Sequence, residues 1–203
     1  DLQITDKGDS NYKGCTKDLV ITVKKKTNTL AKKNQPVYVN SVNNYSDIIT
    51  GNNGGELTAT VTSDGTTGGS LDTTNKKYTA GVLSTSNDNN GSVVLSVTSA
   101  RTATVAQKTV SVTLTVQKYN NTLAADNKTV YVNSTTALTN FVKNKNGGDL
   151  TVTSNNDNTT GSSISNGNFV AGTLAANDDS NKTVALTITS ARTTTVAQGS
   201  ASV

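Results

Sequence analysis

Val93–Ser99 reads VVLSVTS and Thr109–Val116 reads TVSVTLTV. In both, apolar residues alternate with Ser and Thr. That is the period of a strand with one face buried and one in water. In "SVTLTV" the Val and Leu face one side and the Ser and Thr the other. The β-branched residues suit a pleated, half-buried surface. Between the two runs lies "TSARTATVAQ", Thr98–Gln107. The same order returns later: TVALTITS at Thr183–Ser190, "TSARTTTVAQ" at Thr189–Gln198, then GSASV at Gly199–Val203. The two decamers share nine of ten letters, and they hold the only two arginines, Arg101 and Arg192.

Working outward, the repetition covers most of the chain. NTLAKKNQPVYVN at Asn28–Asn40 returns as NTLAADNKTVYVN at Asn121–Asn133, a shift of 93 positions (28 to 121). NGGEL at Asn53–Leu57 returns as NGGDL at Asn146–Leu150 with the same shift, whereas YTAGVL at Tyr78–Leu83 returns as FVAGTL at Phe169–Leu174 after 91 (78 to 169). Two residues are therefore lost between Gly68/Gly161 and Tyr78/Phe169, which places the deletion in a turn. A partial copy comes first: Leu2, Ile4, Ile21 and Val23 align with Leu95, Val97, Leu114 and Val116. Such self-similarity is the mark of a chain that builds one unit several times.

The expected organisation is therefore residues 1–23 as the final two strands of a preceding module, 24–118 as module 1, and 119–203 as module 2 without the end of its last strand. This implies a longer parent with at least three modules in series. The linkers, 24–27 and 117–120, are short enough to limit motion between modules. The two orphan strands, 1–23, are candidates for completing module 2 of another molecule by strand addition.

The predicted strands of module 1 lie near Val37–Asn40, Leu57–Thr62, Lys77–Ala80, Ser92–Ser99 and Thr109–Val116. Those of module 2 lie near Val130–Asn133, Leu150–Ser154, Asn168–Val170, Thr183–Ser190 and Gly199–Val203. A helical turn is expected around Ser46–Ile49 and Thr136–Val142. Asn-Gly or Asp-Gly pairs at Asn53, Asp64, Asn90, Asn146 and Asn166 signal tight hairpins. Short strands with turns every few residues argue an all-β fold of tandem two-sheet sandwiches.

Composition excludes most chemistry. Of 203 residues, 33% are hydrophobic and 4% aromatic, so each core is thin. There is no His, Met or Trp, one Cys (Cys15) and one Glu (Glu56). Without His, the commonest general base and metal ligand is gone, and so are Ser-His-Asp and Cys-His catalysis. One Cys makes neither an internal disulfide nor a multi-cysteine zinc site, and Cys15 reads as a buried or semi-exposed small hydrophobe. The net charge of +4 is concentrated at Lys24–Lys26, Lys32 and Lys33. It forms a solvated basic face or a contact for an anionic cell-wall polymer. No aromatic interleaving or recognition helix points to nucleic acid, and no apolar run reaches a membrane span.

The runs NGGDL, TVTS, SSISNGNFVAG and KTVALTITSA in module 2, with GGSLDTTNKKYTAG in module 1, resemble bacterial immunoglobulin-like (Big) domains. The resemblance covers both complete modules. It implies repeated, extracellular bacterial β-sandwiches of the kind found in adhesin stalks, S-layer proteins and phage virions, with no catalytic residue to carry over. The expected function is a structural segment of a secreted bacterial cell-surface protein, an S-layer lattice or surface stalk, that spaces and self-assembles without catalysis. The alternatives are an adhesin module for carbohydrate or a host protein, and a phage virion decoration. The tyrosines look scattered, which does not favour a sugar platform.

Candidate sites are few. Arg101 and Arg192 suit forked pairing with carboxylates, and acids recur at matched places, Glu56/Asp149, Asp64/Asp157 and Asp88/Asp179. Arg101, Arg192, Glu56 and Asp149 are therefore the candidate structural ion-pair residues, within a module or between modules. Asp88, Asp178 and Asp179 lie in Asn/Asp-rich turns that offer oxygens to calcium, though without the spacing of a calcium loop. No other cofactor is expected. The expected partners are neighbouring copies or modules of the same protein.

Overall fold

The computed structural model describes residues 2–203, and the side chains of all of them except Thr153, Ser154 and Asn155. The chain opens on a hairpin of β1 (Leu2–Gly8) and β2 (Lys13–Leu19), in which Leu2 faces Leu19 and Asp6 faces Cys15. Among the described residues no second layer covers this ribbon, and its Leu2, Ile4 and Leu19 side chains are exposed. Cys15 is exposed for the same reason, which corrects its reading as a buried or half-buried hydrophobe.

Module 1 follows as β3 (Ala31–Lys32), β4 (Gln35–Tyr38), β5 (Val42–Asn44), β6 (Ile49–Thr50), β7 (Leu57–Asp64), β8 (Ser70–Asp72), β9 (Lys77–Thr79), β10 (Gly91–Ser99) and β11 (Lys108–Gln117). One sheet is ordered β4-β11-β10-β7, with β10 antiparallel to both neighbours and β4 parallel to β11. The facing layer is β5-β9-β8, extended by β3-β6 across the 3-10 turn Tyr45–Ile48. The alternation of the opening stretch now has a cause. Val93, Leu95, Val97, Val112, Leu114 and Val116 are wholly buried, in one cluster with Tyr45, Ile48 and Tyr78 of the facing layer. Each such side chain contributes about 1.5–3 kcal/mol. This is an immunoglobulin-like sandwich.

Module 2 repeats the plan with β12 (Ala124–Ala125), β13 (Thr135–Ala137), β14 (Val142–Lys143), β15 (Leu150–Asp157), β16 (Ser163–Ser165), β17 (Asn168–Val170), β18 (Val184–Ser190) and β19 (Gly199–Ser202). Its 3-10 turn is Leu138–Phe141. The two lost residues fall in the second layer's hairpin. Thr73–Lys76 links β8 to β9, where Asn166-Gly167 alone links β16 to β17 with φ of 48° and 75°. The other four Gly pairs do not make two-residue hairpins, because the strands flanking them belong to different layers. In the turns ending at Asn90-Gly91 and starting at Asp64-Gly65, for example, the chain crosses from one sheet to the other.

One sheet of module 2 has fewer rungs than its counterpart in module 1. β19 is four residues long where β11 is ten. Val203 and Leu186 still exchange both backbone hydrogen bonds, at 2.8 and 2.9 Å. In module 1 the ladder continues, with Val94, Val93, Ser92 and Gly91 facing Thr113, Leu114, Thr115 and Val116. Among the described residues, no strand takes that side of Lys182–Ala185. The strand expected at Val130–Asn133 is absent in turn, since its counterpart β4 exists by pairing with the end of β11. A cleft of about 520 Å³ remains, lined by Val130, Phe141, Phe169, Val184 and Val203 among others.

Candidate functional site at the intermodule joint

The repeated decamer is the clasp that holds each module to what precedes it. Its threonine shapes the loop: Thr102 Oγ1 accepts from Val105 N at 3.0 Å, and Thr193 Oγ1 from Val196 N at 2.9 Å. The loop then pairs with the incoming linker. Lys26 N donates to Thr104 O at 2.7 Å and Ala106 N to Lys26 O at 2.9 Å; Tyr119 N donates to Thr195 O at 2.8 Å and Ala197 N to Tyr119 O at 2.9 Å.

The "NTL" and "NGG" motifs anchor the next residues. Asn28 Oδ1 accepts from Leu30 N at 2.9 Å, its Nδ2 donates to Ser99 Oγ at 2.9 Å, and Thr29 N donates to Asn53 Oδ1 at 2.8 Å. Asn121 and Asn146 repeat the backbone contacts with Leu123 N and Thr122 N. Glycine is required here by close approach. A Cβ on Gly54 would lie 2.3 Å from Asn28 Nδ2 and Ser99 Oγ, and one on Gly147 2.5 Å from Asn121 Nδ2.

The joint between modules 1 and 2 centres on Asp88, in the loop between β9 and β10. Lys118 Nζ lies 3.2 Å from Asp88 Oδ1 and donates to Asn87 O at 2.8 Å. Its side chain is only 2% exposed. From module 2, Arg192 Nη1 donates to Ser86 O at 2.8 Å, its Nη2 to Gln198 Oε1 at 2.8 Å, and its Nε stands 3.5 Å from Asp88 Oδ2. Gln198 N donates to Asp88 Oδ2 at 3.2 Å, and Leu83 N to Thr194 O at 3.2 Å. Burial works to raise the Asp88 pKa. The Gln198 N–H, the Lys118 ammonium and Arg192 outweigh it and hold the carboxyl below its ordinary value. On another side Tyr38 stacks on Tyr119, with centroids 4.7 Å apart and planes 4° from parallel. The fold thus pairs two tyrosines that look scattered along the chain.

The remaining candidates divide. Arg192 pairs across modules with Asp88, not with Asp149. Arg101 is exposed and has no ion pair or side-chain hydrogen bond among the described residues, because the loop that Arg192 grips has no counterpart beside it. Its expected pairing is not formed, and Asp149 likewise has no ion pair among the described residues. Glu56 pairs with Lys76 at 2.8 Å, and that contact lowers its pKa. Lys76 belongs to the turn that module 2 shortens, which leaves Asp149 without the equivalent cation. Asp64 and Asp157 each accept from the backbone N and hydroxyl of the threonine two residues on, closing matched turns. Asp178 accepts from Ser180 and pairs with Lys182 at 2.7 Å, which lowers its pKa strongly; Asp179 is exposed. Asp88, Asp178 and Asp179 do not converge. Among the described residues, no three acidic or sulfur ligands gather as a metal site.

No family model matches the chain, and no curated protein matches it. Among solved structures it is similar to the protocadherin GammaB4 extracellular domain, with 11% identity and a TM-score of 0.34 over 98% of this chain and 38% of that one. It is also similar to cadherin domains 3–6 of protocadherin Gamma B2 (10% identity, TM-score 0.34, 99% of this chain and 58% of that one). An endo-fucoidan hydrolase of glycoside hydrolase family 107 follows with 13% identity and a TM-score of 0.30, over 99% of this chain and 33% of that one. The chain spans less than two thirds of each. Likeness at this level says nothing about ligand or activity.

Proposed function

We propose that the chain is a structural segment of a secreted bacterial cell-surface protein, an S-layer lattice or surface stalk. Its work is to space and to assemble, with no catalysis. The observation that carries this reading is the joint. Asp88, which Lys118, Arg192 and Gln198 all approach, is used to lock one module onto the next. Charged and hydrogen-bonded groups are arranged there for orientation, with the Tyr38–Tyr119 stack as a second point of contact. A two-point joint resists both bending and rotation, which a spacer needs and a flexible tether does not. The excess of lysines gives such a surface an attraction for anionic wall polymer.

The test is a distance distribution between spin labels on exposed sites of the two modules. A spacer gives one narrow distance that Asp88→Ala broadens. Two modules that tumble independently in the unmodified chain would overturn the reading.

A further inference from the structure

The fold sorts the six tyrosines of the chain by their reach to one another and to solvent. Tyr45 and Tyr78 lie in the core of module 1, 1% and 0% exposed. Tyr12 and Tyr131 stand in water, and neither touches another aromatic ring among the described residues. Tyr38 and Tyr119 have both properties at once. They are 42% and 45% exposed, and their rings are stacked in contact.

Their places in the chain give the contact its meaning. Tyr38 ends β4 of module 1, with its backbone paired to Gln117. Tyr119 is bound by its backbone to the decamer loop of module 2, through Thr195 O and Ala197 N. Both backbones are held, and the two phenols meet across the joint. Stacking of this kind is weak by itself. It does, however, place two oxidisable rings side by side where a reagent in solution can reach them.

We propose that Tyr38 and Tyr119 are a site of oxidative cross-linking, joined as dityrosine by a one-electron oxidant of the haem-peroxidase class acting with hydrogen peroxide, and that the new bond locks the joint. Each phenol gives one electron to the oxidant and loses its hydroxyl proton to water. The two electrons and two protons reduce the peroxide to two waters. The phenoxyl radicals couple between ring carbons ortho to oxygen, and each ortho hydrogen then moves to the oxygen, restoring both phenols. The net loss is two hydrogens. Exposed side chains turn on the nanosecond scale, so parallel rings reach the coupling geometry without moving the backbone. Held in contact, they also meet at an effective concentration far above that of two dilute molecules.

The bond closes a loop from residue 38 to residue 119, which holds β5 to β11 of module 1. As with a disulfide, a loop of this length restricts the unfolded chain and stabilises the folded one. It also fixes the orientation of the modules without help from Asp88. The proposal rests on the spacer reading and deepens it. Its failure leaves the spin-label distance of the untreated chain narrow, whereas failure of the spacer reading shows as a broad distance in that same untreated chain.

The test is to treat the dilute chain with peroxidase and hydrogen peroxide after alkylating Cys15, whose thiol quenches phenoxyl radicals. The expected product is a monomer lighter by two hydrogens, with dityrosine fluorescence and one linked peptide pair that holds Tyr38 and Tyr119. Its yield per chain does not change on dilution, whereas links between molecules through Tyr12 and Tyr131 fall. Tyr38→Phe and Tyr119→Phe each keep a ring in the stack and abolish the monomeric product. The linked chain melts higher in module 1 by about 5 °C or more, and it keeps a narrow interlabel distance when Asp88→Ala is present. Coupling only between molecules, a monomeric product that survives Tyr38→Phe, or a linked chain whose joint still broadens with Asp88→Ala would each overturn the proposal.

Discussion

Module 1 and module 2 are built from nearly the same letters, yet one is closed and the other open. Among the described residues, sixteen form the buried cluster of module 1 and seven that of module 2. The contrast traces to a single strand. Where β11 runs on past Val112, it buries Leu114 and Val116, pairs with β4 and covers Val37 and Val39. Where β19 stops, Val132, the counterpart of Val39, is 52% exposed against 0%. One strand at the centre of a sheet thus organises the strand that precedes it by some eighty residues as well as its own neighbours. A second contrast lies at the ends. Asp88 is held by three groups while Asp179, in the matched loop, is held by none among the described residues, so the joint is a property of the module pair and not of the module.

The largest break in this comparison comes from the cores. Leu95→Ala should cost about 3 kcal/mol or more, since the cluster around it is closed and relaxes poorly. Leu186→Ala should cost less, because the open cleft lets neighbours settle. Urea unfolding followed by a probe in each module checks both, and equal costs would refute the contrast. Next is Gly54→Ala, where the added methyl group meets Asn28 and Ser99. A loss of about 1–3 kcal/mol is expected from overpacking, with the register of the linker disturbed in hydrogen exchange.

Asp88→Ala removes the partner of the buried Lys118 ammonium. About 1–2 kcal/mol should be lost, after allowing for the partial exposure of the carboxylate. Asp179→Ala should leave the single chain's melting temperature unchanged. Asp88 also makes the joint sensitive to acid. Its folded pKa lies below its unfolded one, so its contribution is fully present above about pH 4 and drains away as pH falls through the lower folded value. Interlabel distances across the joint should therefore broaden in acid, and Asp88→Asn should remove that response.

The smallest effect sharpens the comparison from the other side. The Tyr45 hydroxyl is buried without a hydrogen-bond partner among the described residues, and module 2 has Leu138 in its place. Tyr45→Phe should be neutral or stabilising by a few tenths of a kcal/mol. Leu138→Tyr should destabilise module 2 by more than that.

Much of this was legible along the chain, and its limits are physical. The long strands β7, β10, β11, β15 and β18 announce themselves because alternation over seven or more residues reports a buried face. The 3-10 turn at Leu138–Phe141 falls within the predicted helical turn, and the one at Tyr45–Ile48 begins one residue before its prediction at Ser46. Strands of two or three residues, β3, β5, β6 and β8, are too short to carry a period and were not legible. Val130–Asn133 has the composition of a strand and is not one, since pairing and not propensity decides that segment. The joint was half legible. The repeated arginines mark its place, but Asp88 is 104 positions from Arg192 (88 to 192), and nothing local says which carboxylate will arrive. The same holds for Tyr38 and Tyr119.

The parallel pairing of β4 with the end of β11 has a mechanical consequence. Tension along the chain enters module 1 near β4 and leaves through β11 into Lys118 and Tyr119. Those two strands are bridged from Leu114–Gln35 through Gln117–Tyr38. A pull of this kind loads all of these rungs together in shear, instead of peeling them one at a time. Module 1 should therefore hold under force until the whole patch fails at once.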